Sequence, residues 1–178
     1  MTNAYACSVS TPTRTCLMSG MNSAHTGITN WTAALKNVPS DGTGGGDIGN
    51  GKPLDVIGDL IRPDWNLNGL SPKEGIEHTQ YANTFVQILK DAGYYTIHVG
   101  KAHWAAAGTP GVNPYNMGFV VNISGGANGM PTSYQAKDNY GNTPEKWNYM
   151  AIQNMAEYYG SDVHLTEALT QEALKTLS

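Results

Sequence analysis

The chain has 178 residues, which is one domain's length and enough to bury a sizeable core. Its formal net charge of −4 argues against a nucleic-acid-binding protein, which normally carries a basic face. With 21 glycines and only 13% charged residues, the composition predicts long loops rather than a helical bundle. Two cysteines are too few for a disulfide framework, and no apolar run is long enough to span a membrane.

The first predicted element is a short helix that follows the polar turn at Ser10. Pro12 suits the first helical position. Ser10 or Thr11 can cap this helix, and Gly20 can end it. Arg14 lies about one turn along, so its guanidinium can reach back toward Ser10. A hydroxyl at a helix N-terminus beside an arginine predicts an anion site, and the simpler interpretation is a capped helix with a solvated arginine.

A glycine-rich segment, residues 41–51, comes next and predicts no regular structure. It lacks the Gly-Lys-Ser/Thr end of a phosphate-binding loop, so that function is excluded. We interpret it as a surface loop near a substrate mouth.

A helix and a strand are predicted after this loop. Thr79 can cap a helix whose apolar positions recur at i, i+3, i+4 and i+7, and Gly93 can end it. Those positions are Ala82, Phe85, Val86 and Leu89. Residues 94–99 are β-branched and aromatic, which is typical of a strand. A helix, a glycine and a strand in succession indicate an α/β fold with a parallel sheet.

Lys101 and His103 follow the carboxyl end of this strand, which is where ligands bind in open α/β sheets. If the strand geometry continues, their side chains point to the same side. Lys101 supplies a compact positive charge, and His103 supplies a proton donor or acceptor near neutral pH. Spacing alone leaves open that neither is functional. His98, inside the strand, is interpreted as structural.

The last part of the chain predicts a short strand within residues 118–126, whose glycines indicate close approach near a pocket. An amphipathic helix follows, with Leu165, Leu169 and Ala173 on one stripe. His164 opens that helix and is interpreted as an exposed turn residue.

Three stretches resemble the type I, formylglycine-dependent sulfatases (the arylsulfatase family). The signature residues are Ser10, Pro12, Thr13 and Arg14, followed by Leu17, Met18, Ser19 and Gly20. Residues 89–103 are similar to the family's helix, Gly-Tyr-x-Thr strand and Gly-Lys-x-His block. Residues 118–126 resemble a Gly-Phe-Asp-x-Asn-Ile-x-Gly block, although Val120 replaces the aspartate. Cys7 fits the signature poorly as the modified residue, because Val9 stands two positions after it.

The resemblance implies an alkaline-phosphatase-like α/β sulfatase fold, here partial, with a mostly parallel sheet flanked by helices and long loops. Family members begin with a strand that ends in two adjacent metal-binding aspartates, and no Asp-Asp pair occurs in this chain. Residues 1–178 are therefore expected to be part of an N-terminal catalytic domain, without that strand and the C-terminal portion. The chain alone is expected to lack activity.

The resemblance also implies the chemistry of a sulfuric ester hydrolase acting on a small-molecule or glycan sulfate ester, with carbohydrate sulfate preferred. Ser10 would be oxidised to formylglycine by a maturase and would be a ligand of a divalent cation, usually Ca²⁺. Arg14 would hold the hydrated aldehyde, Lys101 would bind sulfate oxygens, and His103 would take a proton. Periplasmic or secreted placement follows by family analogy.

The resemblance leaves several details open. Ser124 or Asn128 are alternative residues for lining the sulfate pocket. Residues 131–150 are rich in Tyr and Trp, whose rings either stack on sugar faces or pack at the surface. Two other functions stay open as well: a phosphatase or phosphotransferase of the wider alkaline phosphatase superfamily that uses an unmodified Ser10, and a non-catalytic folded remnant.

Overall fold

The computed structural model describes residue 3 and residues 5–32, 66–142 and 152–178. In this part of the chain the helices are α1 (Ser10–Ser19), α2 (Ser23–Thr26), α3 (Phe85–Asp91) and α4 (Leu165–Leu177). The strands are β1 (Leu70–Ser71), β2 (Gln80–Tyr81), β3 (Ile97–Val99) and β4 (Val121–Ile123). Short 3₁₀ helices span Pro110–Val112, Pro114–Met117, Ala136–Gly141 and Ala156–Tyr158. The glycine-rich segment 41–51 and residues 143–150 of the aromatic loop lie outside the described residues.

The four strands form two parallel pairs, β1 with β2 and β3 with β4. In the second pair His98 lies opposite Asn122, with the chain between them supplying the crossover that parallel pairing needs. The predicted α/β fold with parallel pairing is confirmed. The strand predicted over residues 94–99 is shorter than expected, because the Tyr94 N–H bonds to the Leu89 carbonyl and belongs to the exit turn of α3.

The N-terminal caps predicted for α1 and α3 are wrong. Val9 is the N-cap of α1, so Ser10 is the first helical residue and Pro12 the third, still among the residues whose N–H has no partner within the helix. Thr84, not Thr79, caps α3, because its hydroxyl accepts from the Gln87 N–H at 3.1 Å. Both C-terminal predictions hold: Gly20 follows α1 and Gly93 follows α3, each with positive φ.

The apolar stripe predicted for α3 is half confirmed. Ala82 and Val86 are buried in the core of the described residues, although Ala82 precedes the helix. Phe85 and Leu89 are 44% and 37% exposed. The core that this region does form joins α1, β1, α3 and the segment after β3, through residues that include Met18, Leu70, Val86, Trp104 and Met117. Ala102 and Trp104 of this cluster flank His103, and Met18 lies in α1, the helix that begins at Ser10.

A second apolar cluster holds α4 against β4, with Ile123, Tyr140, Met155, Tyr158 and Leu165 among its members. The helix begins where the sequence predicts, at Leu165, and His164 is exposed as expected. Its role was nevertheless missed, because the His164 Nδ1 accepts from the Thr166 N–H at 3.2 Å and so caps α4. The His164 ring also stacks on Tyr134, with centroids 5.8 Å apart and planes 6° apart.

Candidate active site

Three of the predicted site residues meet at the start of α1. The Ser10 Oγ lies 3.0 Å from the His103 Nδ1, and the Arg14 Nε–H donates to the same Ser10 oxygen at 3.2 Å. Arg14 reaches Ser10 because residues four apart on a helix are neighbours. His103 belongs to the segment that follows β3, which packs against α1 in the first apolar cluster. The anion site predicted at the Ser10 turn therefore includes His103 in addition to Ser10 and Arg14.

The hydrogen bonds around His103 determine which ring nitrogen carries the proton. The His103 Nε2 lies 2.5 Å from the Thr32 carbonyl oxygen, which can only accept. Nε2 must therefore be the protonated nitrogen, and in the neutral ring Nδ1 accepts. It follows that the Ser10 hydroxyl donates to His103 while it accepts from Arg14.

The His103 ring is neutral at physiological pH. Burial lowers its pKa from 6.5 to about 4, and the positive charges of Lys101 and Arg14 act in the same direction. The Thr32 carbonyl opposes this shift but does not reverse it. A neutral imidazole with a free Nδ1 is a proton acceptor, so the pair is set up to take a proton from the group on residue 10.

His103 reaches Ser10 through an irregular backbone. β3 ends at Val99, and both Gly100 and His103 have positive φ, at 88° and 55°. The prediction that Lys101 and His103 point to the same side assumed that the strand continues through both residues. That assumption is wrong. The His103 N–H bonds to the Gly126 carbonyl at 2.9 Å, which fixes this turn. A left-handed conformation is uncommon for a residue with a side chain and is found at functional sites when surroundings hold it.

Gly129 lies against the His103 ring. A Cβ at this position would come within 2.8 Å of the His103 Cε1, a separation that real Cβ atoms do not show. Only glycine permits the loop to pass so close to the imidazole. The close approach expected of the glycines within residues 118–126 is made by Gly125, whose added Cβ would meet Asn122 and His98.

Two cations give the site its charge. The Arg14 Nη1 donates to the Lys101 carbonyl at 2.8 Å, and burial lowers the pKa of Arg14. Burial and the Arg14 charge lower the pKa of Lys101 in turn. Among the described residues, neither side chain forms an ion pair with a carboxylate. Two cations without counter-charges of this kind favour an anionic ligand.

The Lys101 side chain lines a cavity of about 170 Å³ beside this cluster. Ser124 and Asn128, the alternative pocket residues, both line the same cavity. The Ser124 hydroxyl donates to the Gln153 carbonyl at 2.9 Å. His98, by contrast, is buried against Trp104 and Phe119 and bonds to Asn122, as its structural interpretation predicts.

The site residues that sequence reasoning missed act through backbone or through absence of a side chain. Thr32 contributes a carbonyl oxygen to His103, and its N–H bonds to the Thr11 hydroxyl at 3.2 Å. Gly126 contributes its carbonyl oxygen, and Gly129 has no side chain to collide with the His103 ring. Every residue has a backbone carbonyl, so the residue type does not reveal which carbonyl is used. Only the glycines after β4 indicate this part of the site in the sequence.

Among the described residues, the oxygen donors around Ser10 are too few to complete the coordination of a calcium ion by themselves. Calcium takes six to eight oxygen ligands, mostly carboxylates. The described segments contain no group of three or more His, Cys, Asp or Glu residues able to hold a metal. Ser10 is flanked instead by Arg14 and His103.

Searching the described part of the chain for a membrane-crossing helix, long and apolar throughout, finds none.

The Ser10 oxygen is held by a neutral imidazole and a guanidinium, and Lys101 follows the end of the parallel strand pair. This arrangement is typical of one class of site, an α/β hydrolytic site for an anionic ester. A family model described as Sulfatase matches residues 1–178, and the chain belongs to that family. It is thereby a sulfuric ester hydrolase with an alkaline-phosphatase-like fold. Sulfatases generally use a divalent metal and formylglycine and are typically secreted or periplasmic. No curated protein matches the chain.

Proposed function

We propose that this protein hydrolyses carbohydrate sulfate esters through a formylglycine made from Ser10. The observation that carries the proposal is the position of the Ser10 Oγ, between the His103 Nδ1 at 3.0 Å and the Arg14 Nε at 3.2 Å. Lys101, which lines the adjoining cavity, provides the charge for sulfate oxygens.

The properties of His103 favour a modified residue over an unmodified serine nucleophile. A serine hydroxyl has a pKa far above neutral, so the neutral His103 ring removes its proton less readily than that of a more acidic hydroxyl. A hydrated aldehyde carries two hydroxyl groups on one carbon, which are more acidic and can divide the work of attack and release.

The proposed reaction balances in four steps. Oxidation of the Ser10 CH₂OH to an aldehyde removes two electrons and two protons, which pass to the electron acceptor of a maturase. Water adds to the aldehyde and gives two hydroxyl groups. One hydroxyl oxygen bonds to sulfur and gives up its proton, the bond from sulfur to the alcohol oxygen breaks, and the departing alcohol oxygen takes up that proton. The second hydroxyl gives its proton to the His103 Nδ1, the C–O bond to sulfate breaks, and the aldehyde returns.

The surrounding cations orient this chemistry. Arg14 holds the oxygen on residue 10, because its guanidinium is itself fixed by the Lys101 carbonyl. Lys101 would bind sulfate oxygens as their charge grows. The negative charge of bound sulfate would raise the pKa of His103, since the lysine and arginine charges that lower it become compensated.

The resemblance adds further parts to the proposal. They are calcium as the metal, the modified Ser10 as one of its ligands, a formylglycine-generating maturase as partner, and periplasmic or secreted placement. They also include the assignment of residues 1–178 to the N-terminal catalytic domain of a larger sulfatase.

Peptide mass spectrometry across Ser10 tests the proposal, on the full-length parent protein co-expressed with a maturase able to modify serine. We expect a loss of two hydrogens at Ser10, and sulfate release from a sulfated monosaccharide that Ser10→Ala abolishes. Ser8→Ala is the matched control, because Ser8 is exposed two residues earlier and should leave activity unchanged. An intact Ser10 with phosphate release from a phosphate monoester would instead establish the phosphatase function. An intact Ser10 without hydrolysis would establish the remnant.

A further inference from the structure

We propose that the cavity beside Lys101 binds a single pyranose ring of the sulfated substrate, with Tyr134 as the surface on which the ring stacks. This inference rests on the proposed function and names the part of the site that selects the alcohol. The cavity is lined by Lys101, Ser124, Asn128, Met130, Tyr134 and Leu169 together with their neighbours.

The size of the cavity matches one ring. Its volume is about 170 Å³. An engineered cavity of roughly 150 Å³ in another protein binds one benzene molecule, so the space here holds one six-membered ring and not two. A longer glycan would have to extend out of the cavity, with only the sulfated residue inside.

The lining is polar at one end and apolar along the walls. Lys101, Ser124 and Asn128 form the polar end, and Thr166 adds a hydroxyl-bearing side chain at the start of α4. The walls are Met130, Pro131, Tyr134, Ile152, Leu165 and Leu169. A pyranose has the same division, because its faces carry C–H groups and its rim carries hydroxyl groups. An aryl ring has apolar faces but no hydroxyl rim.

Tyr134 is held rigidly in position to stack. Its ring lies parallel to the His164 ring, at 5.8 Å and 6°, so its orientation is fixed before a ligand arrives. Its backbone carbonyl accepts from the Leu165 N–H at 2.9 Å, and the next residue, Gln135, pairs with His164. The side chain is still 45% exposed. A pre-ordered aromatic ring loses little conformational entropy on binding, which is what a stacking surface needs.

The charge of Lys101 sets the direction in which the ring enters. The sulfate group is drawn to the lysine, whose charge lowers the pKa of His103 and whose own pKa is lowered by the Arg14 charge, so this end of the cavity faces the catalytic cluster. In the proposed orientation the ring lies between Lys101 and the walls formed by Tyr134 and Leu169. Ser124 and Asn128, the other polar lining residues of that end, then face the hydroxyl groups next to the ester.

Steady-state kinetics of the matured enzyme test this subsite with two substrates, a sulfated monosaccharide and 4-nitrophenyl sulfate. We expect Tyr134→Ala to raise KM for the sugar sulfate about tenfold with kcat changed less than twofold, and Tyr134→Phe to stay near wild type. Tyr115→Ala is the matched control, because Tyr115 is 48% exposed and does not line the cavity. Thermal unfolding of each variant verifies that it is folded.

A binding measurement separates this inference from the proposed function. Ligand-observed NMR with the unsulfated monosaccharide, on unmatured protein, reports the subsite without any turnover. Saturation transfer that Tyr134→Ala removes and Tyr115→Ala retains supports the subsite even if Ser10 proves unmodified. Sulfate release from sugar sulfates with equal KM in wild type and Tyr134→Ala overturns the subsite while the sulfatase function stands. A rise in KM for 4-nitrophenyl sulfate in Tyr134→Ala equal to the rise for the sugar sulfate also overturns it.

Discussion

Helix α4 and the segment Gly100–His103 contribute to the same cavity but are stabilised in opposite ways. The backbone bonds of α4 are local, and the helix begins with a cap two residues from its partner, His164 to Thr166. The segment after β3 depends on distant partners, since Gly100 bonds to Ile123, His103 to Gly126, and Lys101 accepts from Arg14. The regular helix α4 thus supplies part of the cavity wall, and an irregular segment fixed by long-range hydrogen bonds supplies Lys101 and His103.

Removing the His103 imidazole should produce the largest difference between the two segments. We expect His103→Ala to lower kcat for sulfate release by about 10³-fold, because general base catalysis contributes roughly 10²–10⁴-fold. Steady-state kinetics on matured protein measure this, with His25→Ala as the control at an exposed histidine of α2. Retention of more than a tenth of the wild-type kcat would show that the base is elsewhere.

The buried neutral state of His103 should also make stability depend on pH. Its pKa is lowered from 6.5 to about 4, so between these values the unfolded chain binds a proton that the folded protein does not. The contribution to stability is therefore complete above pH 6.5 and is lost as pH falls to 4, by roughly 3 kcal/mol. Urea unfolding across this pH range measures it. The same titration of His103→Gln should lack this component, and an identical profile in both proteins would contradict the prediction.

Gly129 tests how tightly the irregular segment is packed. A Cβ there would lie 2.8 Å from the His103 Cε1, so Gly129→Ala must displace the ring or the loop, at about 1–3 kcal/mol. We expect a lower melting temperature and a lower kcat together. Gly126→Ala is the matched control, because its Cβ would meet only the flexible end of Gln153, at 3.4 Å. Equal effects of the two substitutions would refute the packing argument.

The smallest effect is expected in α4. His164→Ala removes the cap on the Thr166 N–H and should lower the free energy of unfolding by about 1 kcal/mol, as other lost helix caps do. Denaturant unfolding measures this change. A decrease of more than about 3 kcal/mol in the free energy of unfolding would mean that the stack of His164 on Tyr134 stabilises the fold in addition to the cap.

The sequence predicts those features that depend on neighbours along the chain. The reach of Arg14 to Ser10, the turns at Gly20 and Gly93, and the start of α4 all follow from spacing of a few residues. The cap prediction for α3 failed because two threonines compete for the position. Thr79 and Thr84 are equally good caps by residue type, and the fold selects Thr84, whose hydroxyl also donates to the Met117 carbonyl.

Contacts between distant parts of the chain could be anticipated only in part. Ser10 and His103 are 93 residues apart, and only the family resemblance joined them before the fold was known. The Thr32 carbonyl could not be predicted, because every residue has one. The sequence does not decide whether the aromatic rings of residues 131–150, Tyr134 among them, stack on a sugar or pack at the surface. The ring partner of Tyr134, His164, lies 30 positions further along the chain.

The carbonyl partner of His103 has a consequence for the timing of turnover. Within the described segments the ring contacts Ser10 and a neutral backbone oxygen, with no carboxylate to stabilise an imidazolium. A proton taken up at Nδ1 is therefore stored at high free energy, next to two cations that repel it. While sulfate is bound its charge offsets that repulsion. The proposed mechanism therefore predicts that His103 loses this proton to solvent when sulfate departs, which would couple proton release to anion release.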